Sequence, residues 1–104
     1  MKKRFLLDVG KICTYRIDMP KEFVGRDDVD VYIEFGTLYG KEERIAYNLW
    51  FQIKGGKTRT CLHTDDFIGN MEDENRILQK IVNEINSNFE IQYAILQWAK
   101  KYTE

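Results

Sequence analysis

Apolar residues occupy every second position along two stretches in the first two thirds of the chain. The alternating positions are Val29, Val31, Ile33 and Phe35 in the first stretch and Ile45, Tyr47, Leu49, Phe51 and Ile53 in the second. A period of two is typical of a β-strand with one buried face. The two stretches therefore predict neighbouring strands, separated by a loop over residues 36–43.

Glycine-containing turns predict further strands on both sides of this pair. Gly10-Lys11 would join strands over Arg4–Val9 and Ile12–Met19, and Gly55-Gly56 would begin a hairpin after Ile53. A two-residue turn fixes which residues face each other. The predicted pairs are Lys54 with Lys57, Phe51 with Thr60, Trp50 with Cys61, Leu49 with Leu62 and Asn48 with His63.

This register separates the hairpin side chains into a core face and an outer face. Leu49, Phe51, Ile53 and Leu62 would share the core face, since strand side chains alternate. Aromatic, basic and amide side chains collect on the outer face, and such side chains often anchor interfaces. The predicted binding residues are Tyr32, Asn48, Trp50, Gln52, Arg59 and His63.

After Asp65-Asp66 the apolar period changes to about 3.6 residues, which predicts helices over about residues 71–86 and 88–102. Asn70 is a candidate cap for the first helix. Ser87 and Glu90 match a capping box at the start of the second.

The second helix carries apolar side chains on two opposite sides, and one sheet cannot cover both. Ile91, Ile95, Trp98 and Tyr102 form one stripe, and Phe89, Tyr93 and Leu96 form the other. Either the first helix or a second chain would cover the remaining stripe, and we predict a homodimer. The predicted interface residues are Phe89, Tyr93, Leu96, Trp98 and Tyr102.

Together these elements predict one α+β domain over residues 1–104. It would contain a five-stranded, mostly antiparallel meander sheet over residues 4–64, with two C-terminal helices packed on one face.

Composition adds limits on partners and location. The net charge of −1 over 104 residues gives no general attraction to duplex DNA or to an anionic membrane. No apolar run reaches the roughly 18 residues that a membrane span needs. The only cysteines, Cys13 and Cys61, do not form a disulfide framework. We therefore expect a cytoplasmic protein.

Cys61, His63 and Asp65 are the candidates for nucleophilic catalysis or metal binding. In the predicted register they lie along one strand, where residues two apart stand nearly 7 Å from each other, beyond hydrogen-bond reach. No CxxC or HxxxH pair is present to complete a metal site. We predict no catalytic residues, no metal and no cofactor.

Two nucleic-acid functions remain as weaker alternatives. Asp30 and Glu34 on one strand, with Gln52-Ile53-Lys54 on the next, resemble the acidic and lysine residues of restriction-type nucleases over these few positions. That resemblance implies metal-dependent cleavage, but the helix that precedes the motif in that family is absent from the predicted order. Trp50 beside basic residues could also stack single-stranded bases.

The sequence therefore predicts a non-catalytic binding module, a small homodimeric interaction or inhibitor protein whose partner is another protein. Phage-encoded antagonists and toxin-immunity proteins are comparable only in scale and in the lack of a catalytic motif. The alternative is an oligomer that binds or sequesters a nucleotide-like small ligand on the Trp50, Arg59 and His63 face.

Overall fold

The structure, a computed structural model, describes residues 12–18, 27–38 and 41–101. These residues form an antiparallel sheet followed by two helices, which confirms the predicted α+β arrangement. The described part contains four strands rather than five, and the predicted strand Arg4–Val9 lies outside it. The elements are β1 (Cys13–Ile17), β2 (Val29–Leu38), β3 (Lys41–Ile53), β4 (Thr60–Ile68), α1 (Glu74–Ser87) and α2 (Phe89–Lys101).

The sheet is a meander with the strand order β1-β2-β3-β4, and each strand pairs with its sequence neighbours. The central strands extend into the predicted loop over residues 36–43, because Gly36 pairs with Ala46 and Thr37 with Ile45. Main-chain hydrogen bonds do not depend on apolar side chains, so the strand pairing continues beyond the last alternating apolar residue of β2. A register shift after Thr37 marks the end of regular pairing.

The apolar face of the sheet packs against both helices. Phe51 contacts Trp98 of α2 edge to face, with ring centroids 5.2 Å apart. At the edge of the sheet, Tyr15 stacks on Phe35 and donates a hydrogen bond of 2.9 Å to Glu74 at the start of α1. The largest fully buried apolar and aromatic side chains are Ile33, Phe35, Ile45, Tyr47, Leu49, Phe51, Ile81, Ile85, Ile91 and Ile95.

The turn between β3 and β4 contains the glycine conformation that the sequence predicts. Gly55 has a φ of 81°, and the amide of Gly56 donates to the carbonyl of Ile53 over 2.8 Å. β4 begins only at Thr60, so the connection is longer than a two-residue turn. Phe51 still faces Thr60 and Trp50 still faces Cys61, as predicted.

A β-bulge then changes the register. Leu49 faces His63 and Asn48 faces Thr64, so Leu62 is the additional residue on β4. The predicted pairs of Leu49 with Leu62 and Asn48 with His63 are therefore wrong. One inserted residue transfers every later side chain of the strand to the opposite face of the sheet.

Both helices begin at caps other than the predicted ones. Asp73 caps α1, where its side chain accepts from the amide of Arg76 over 3.2 Å. Asn88 caps α2 and accepts from the amides of Glu90 and Ile91. Asn70 instead accepts from Glu72 before α1 starts. Ser87 belongs to the last turn of α1, where its hydroxyl donates to backbone carbonyls.

Among the described residues, no helix has both the length and the apolar character that a transmembrane span requires.

Candidate functional site

Five of the six predicted binding residues lie in one region on the face of the sheet that points away from the helices. Tyr32 faces Trp50 across β2 and β3, and Asp30 faces Gln52 beside them. Asn48 is fully buried on this face, and Trp50 and Gln52 are half-buried. The predicted cluster of Tyr32, Asn48, Trp50, Gln52 and Arg59 is therefore brought together.

Glu34 lies at the centre of this sheet face and accepts hydrogen bonds from two of the predicted binding residues. One of its carboxylate oxygens, Oε1, accepts from Asn48 Nδ2 over 2.9 Å and from Trp50 Nε1 over 3.3 Å. Such bonds to a charged acceptor are stronger than those between neutral groups. Glu34 was absent from the predicted binding residues, although the β2–β3 alternation places it opposite Asn48.

Arg59 lies at the edge of the same face. Its guanidinium stands 4.0 Å from the ring centroid of Tyr32, and its Nε donates to Gln52 Oε1 over 3.1 Å. Gln52 in turn donates to the carbonyl of Gly56 in the turn. The ring of Tyr32 and the amide of Gln52 therefore position the Arg59 guanidinium, and Gln52 is itself bound to the turn.

His63 is separated from these residues by the bulge. Its partner is Leu49, which belongs to the core face, so His63 points toward the helices. Cys61 stays on the outer face opposite Trp50, and its thiol donates weakly to the carbonyl of His63 over 3.7 Å. The predicted line of Cys61, His63 and Asp65 along one face does not exist.

The bulge creates a polar cluster between the sheet and α1. His63 and Asp65 of β4 meet Glu84 of α1, and one potential ligand atom from each of the three lies within 4.8 Å of the others. The ring of Tyr47 on β3 stands 5.7 Å from the imidazole of His63. Neither Tyr47 nor Glu84 was predicted as a site residue, because they reach the cluster only through the shifted register.

Burial and charge change the acidity of two members of this cluster. The pKa of Glu84 is raised by burial and then by a hydrogen bond and charge repulsion from Asp65, while a hydrogen bond from Tyr47 and the charge of Lys80 act in the opposite direction. The pKa of Tyr47 is raised chiefly by burial, and further by the charges of Glu84 and Asp65. Tyr47 therefore stays protonated, and Glu84 takes up a proton more readily than an exposed glutamate does.

This carboxyl pair gives a pH-dependent contribution to folding. A raised pKa in the folded chain means that Glu84 stabilises the fold at acidic pH, and that this contribution is lost as pH rises above its ordinary value of 4.5. In the presence of a chelator, we expect Glu84→Gln to raise the free energy of unfolding at pH 7 by up to about 1 kcal/mol, limited by solvent screening. The gain should disappear near pH 4, as measured by urea unfolding.

The control for this prediction is Glu90→Gln, which removes an exposed acid in the first turn of α2. That acid lies at the favourable end of the helix dipole, so its removal should lower stability slightly. A Glu84→Gln chain that is less stable than the unchanged chain at pH 7 would contradict the raised pKa of Glu84.

The second stripe of α2 is exposed, so α1 does not cover it. Phe89, Tyr93 and Leu96 are exposed by 79%, 58% and 40%. Trp98, by contrast, is 6% exposed and belongs to the core beside Phe51, which places this predicted interface residue inside the domain. Tyr102 lies outside the described residues.

The resemblance to restriction-type nucleases finds little geometric support. Asp30 and Glu34 share a face of β2, but four residues of strand separate their Cα atoms by roughly 13 Å. Asp30 forms an ion pair of 3.1 Å with Arg16, while Glu34 binds Asn48 and Trp50. The acids therefore have separate partners and do not converge on one ion.

Cys13 lies on β1 and Cys61 on β4, at the two ends of the described strand order and on opposite faces of the sheet, and they do not form a disulfide. Burial and the nearby Glu74 raise the pKa of Cys13, which lowers its reactivity.

Comparison of the chain with protein-family models, curated proteins and solved structures found no match.

Proposed function

We propose that this chain is a non-catalytic protein-binding module that forms a homodimer through the exposed stripe of α2. The observation that supports it most is the exposure of two aromatic rings and a leucine at Phe89, Tyr93 and Leu96. They are spaced by four and three residues, so they form one continuous strip along the helix. Aromatic side chains that keep a polar group suit interfaces, because they bury much area with little loss of entropy.

Charge along α2 favours a second copy as the occupant of this stripe. Its first turn carries Glu90, and its last turn carries Lys100 and Lys101. Two copies related by a twofold axis between Tyr93 and Leu96 would run antiparallel. The acidic start of each helix would then approach the basic end of the other, which makes the surface self-complementary.

The size of the stripe sets the strength of this proposed dimer. Three side chains from each copy bury less than the roughly 1,200–2,000 Å² of a standard stable interface. We therefore propose a weak, reversible dimer that a larger protein partner could displace.

Tyr93→Glu tests the proposal at the middle of the stripe. A charge in a desolvated interface is unfavourable, so we expect self-association to weaken at least about tenfold. Sedimentation velocity over a wide range of protein concentrations measures this change. The matched control is Asn83→Glu, which adds the same charge to the exposed side of α1 and should leave the association unchanged.

Two outcomes would count against the homodimer. One is a single-chain mass for the unchanged protein at every concentration. The other is an equal effect of both substitutions, which would show that association depends on net charge and not on the α2 stripe.

The sheet face supports a second candidate, the binding of a nucleotide-like ligand. Arg59 on the ring of Tyr32 offers a positioned cation, and Trp50 offers a surface for stacking. The carboxylate of Glu34 next to Trp50 opposes an anionic ligand, however, and the indole N–H already donates to that carboxylate. This is why we place the protein-binding function first.

The same proposal includes a reducing, cytoplasmic setting. Its support is that Cys13 and Cys61 are not joined by a disulfide.

A further inference from the structure

We infer that His63, Asp65 and Glu84 form a binding site for a first-row divalent metal ion, with Zn²⁺ as the preferred ion. Their potential ligand atoms lie within 4.8 Å of one another. Ligands bound to one zinc ion at about 2.1 Å stand roughly 3.4 Å apart in a tetrahedron. Side-chain rotations that move the ligand atoms by about an ångström would therefore bring all three within bonding distance of one ion, while the backbones of β4 and α1 stay in place.

The buried hydroxyl of Tyr47 is an independent indication of a ligand here. Tyr47 is fully buried, and its hydroxyl lies within hydrogen-bonding influence of Glu84 without reaching good hydrogen-bond geometry. The charges of Glu84 and Asp65 also act on this hydroxyl. A buried hydroxyl with a poorly aligned partner is costly. It would gain a well-aligned bond by donating to a metal-bound carboxylate or water, as second-shell groups do.

The donor set distinguishes between metals. One imidazole nitrogen with two carboxylate oxygens suits zinc and related transition ions, whereas magnesium and calcium prefer oxygen ligands alone. Three protein ligands leave a fourth position on zinc open to water. For this donor set we expect affinity to decrease from Zn²⁺ to Mn²⁺ to Mg²⁺.

Solvent can reach one side of the cluster. Glu84 lines an open depression at the junction of α1 and α2, together with Ser87 and Asn88. The dipositive ion would also balance the two negative charges that this half-buried pair otherwise holds close together. Metal entry thus needs no opening of the core.

The single histidine of the chain makes the test specific. Tag-free protein, treated with a chelator and kept reduced, is titrated with ZnCl2 by calorimetry while the His63 imidazole is followed by nitrogen-edited NMR. We expect one ion per chain, a shift of the imidazole resonances and a higher Tm. Asp65→Asn and Glu84→Gln should each weaken binding at least about tenfold.

Two variants separate this site from other ways of binding zinc. Glu90→Gln removes an exposed acid beside the same depression, and Cys61→Ser removes the thiol that precedes His63 in sequence but lies on the other face. Both should bind zinc as the unchanged chain does. Folding of each variant is checked by near-ultraviolet circular dichroism, and Asp65→Asn gives a second measurement if Glu84→Gln alters the fold.

The inference would be overturned by any of three results. The first is no saturable zinc binding. The second is binding that leaves the His63 resonances unmoved. The third is binding that persists in both carboxyl variants or disappears in Cys61→Ser. None of these measurements depends on self-association through α2.

Discussion

Trp98→Ala should destabilise the folded chain by about 3–5 kcal/mol, the usual effect of removing a large aromatic from a packed core. Trp98 is almost completely buried, and its ring meets the ring of Phe51 edge to face at a centroid distance of 5.2 Å. The substitution removes this contact and leaves a cavity between α2 and the sheet. A domain of this size should show a fall in Tm of about 15–30 °C.

Tyr93→Ala on the same helix is the matched comparison, because it removes an aromatic ring that is mostly exposed. It should change stability by less than about 1 kcal/mol. Thermal and urea unfolding, followed by far-ultraviolet circular dichroism, measure both variants. Trp98→Phe keeps a ring in place and should recover part of the loss if Trp98→Ala does not fold.

This comparison also separates two roles for Trp98. If Trp98 belonged to the interface, its removal would reduce self-association and leave the stability of the domain nearly intact. A Trp98→Ala chain that unfolds within about 1 kcal/mol of the unchanged chain would show that Trp98 does not hold the core together.

The parts of the fold that the sequence predicts correctly are those that depend on side-chain period. Ile33 and Phe35 on β2, and Leu49 and Phe51 on β3, all point to the core as their alternation indicates. The two sides of α2 are also visible in the sequence, because Ile91 and Ile95 fall opposite Tyr93 on a helical wheel. In each case burial follows from spacing alone.

The sequence does not predict the bulge at Leu62, because no residue type marks an inserted strand residue as clearly as glycine marks a turn. Two pairings on β4 reveal the insertion. Thr60 faces Phe51, as predicted, and in the structure Phe67 faces Ile45, so both Thr60 and Phe67 lie on the core face. An even and an odd position on one strand can share a face only if a residue is inserted between them.

The site beside α1 follows from that single insertion. Without it, His63 and Asp65 would point away from the helices and could not meet Glu84. The sequence also ended β4 at about residue 64, because two adjacent aspartates are unfavourable in a strand. In the structure Asp66 is paired with Arg44, and Asp65 lies beside Glu84. Tertiary partners thus keep both aspartates in the strand.

The sheet face itself was predicted in outline, but its central acid was not. Asn48, Trp50 and Arg59 have the expected neighbours, while the role of Glu34 depends on two hydrogen bonds that spacing does not reveal. A buried amide that donates to a half-buried carboxylate restrains both side chains, since neither can turn away without losing a partner. Asn48 therefore determines how Glu34 and Trp50 are held on the outer face.

Asn48→Asp tests this arrangement with almost no change in shape. The new carboxyl group would stand where the amide now lies 2.9 Å from Glu34, at a position that is 0% exposed. Two carboxylates so close and so buried cannot both ionise, so we expect a loss of about 3–5 kcal/mol at pH 7. The pKa of the pair would be raised in the folded chain, so the loss should diminish as pH falls toward about 4.

Urea unfolding of Asn48→Asp at several pH values measures this effect against Asn83→Asp, which makes the same substitution on the exposed side of α1. The control should change stability by no more than about 0.5 kcal/mol at any pH. Equal stability of the two variants at pH 7 would mean that the amide of Asn48 is not buried against Glu34. A large loss that grows with pH in Asn48→Asp but not in Asn83→Asp would show that an ionised carboxylate is unfavourable at position 48, where burial and the charge of Glu34 act in the same direction.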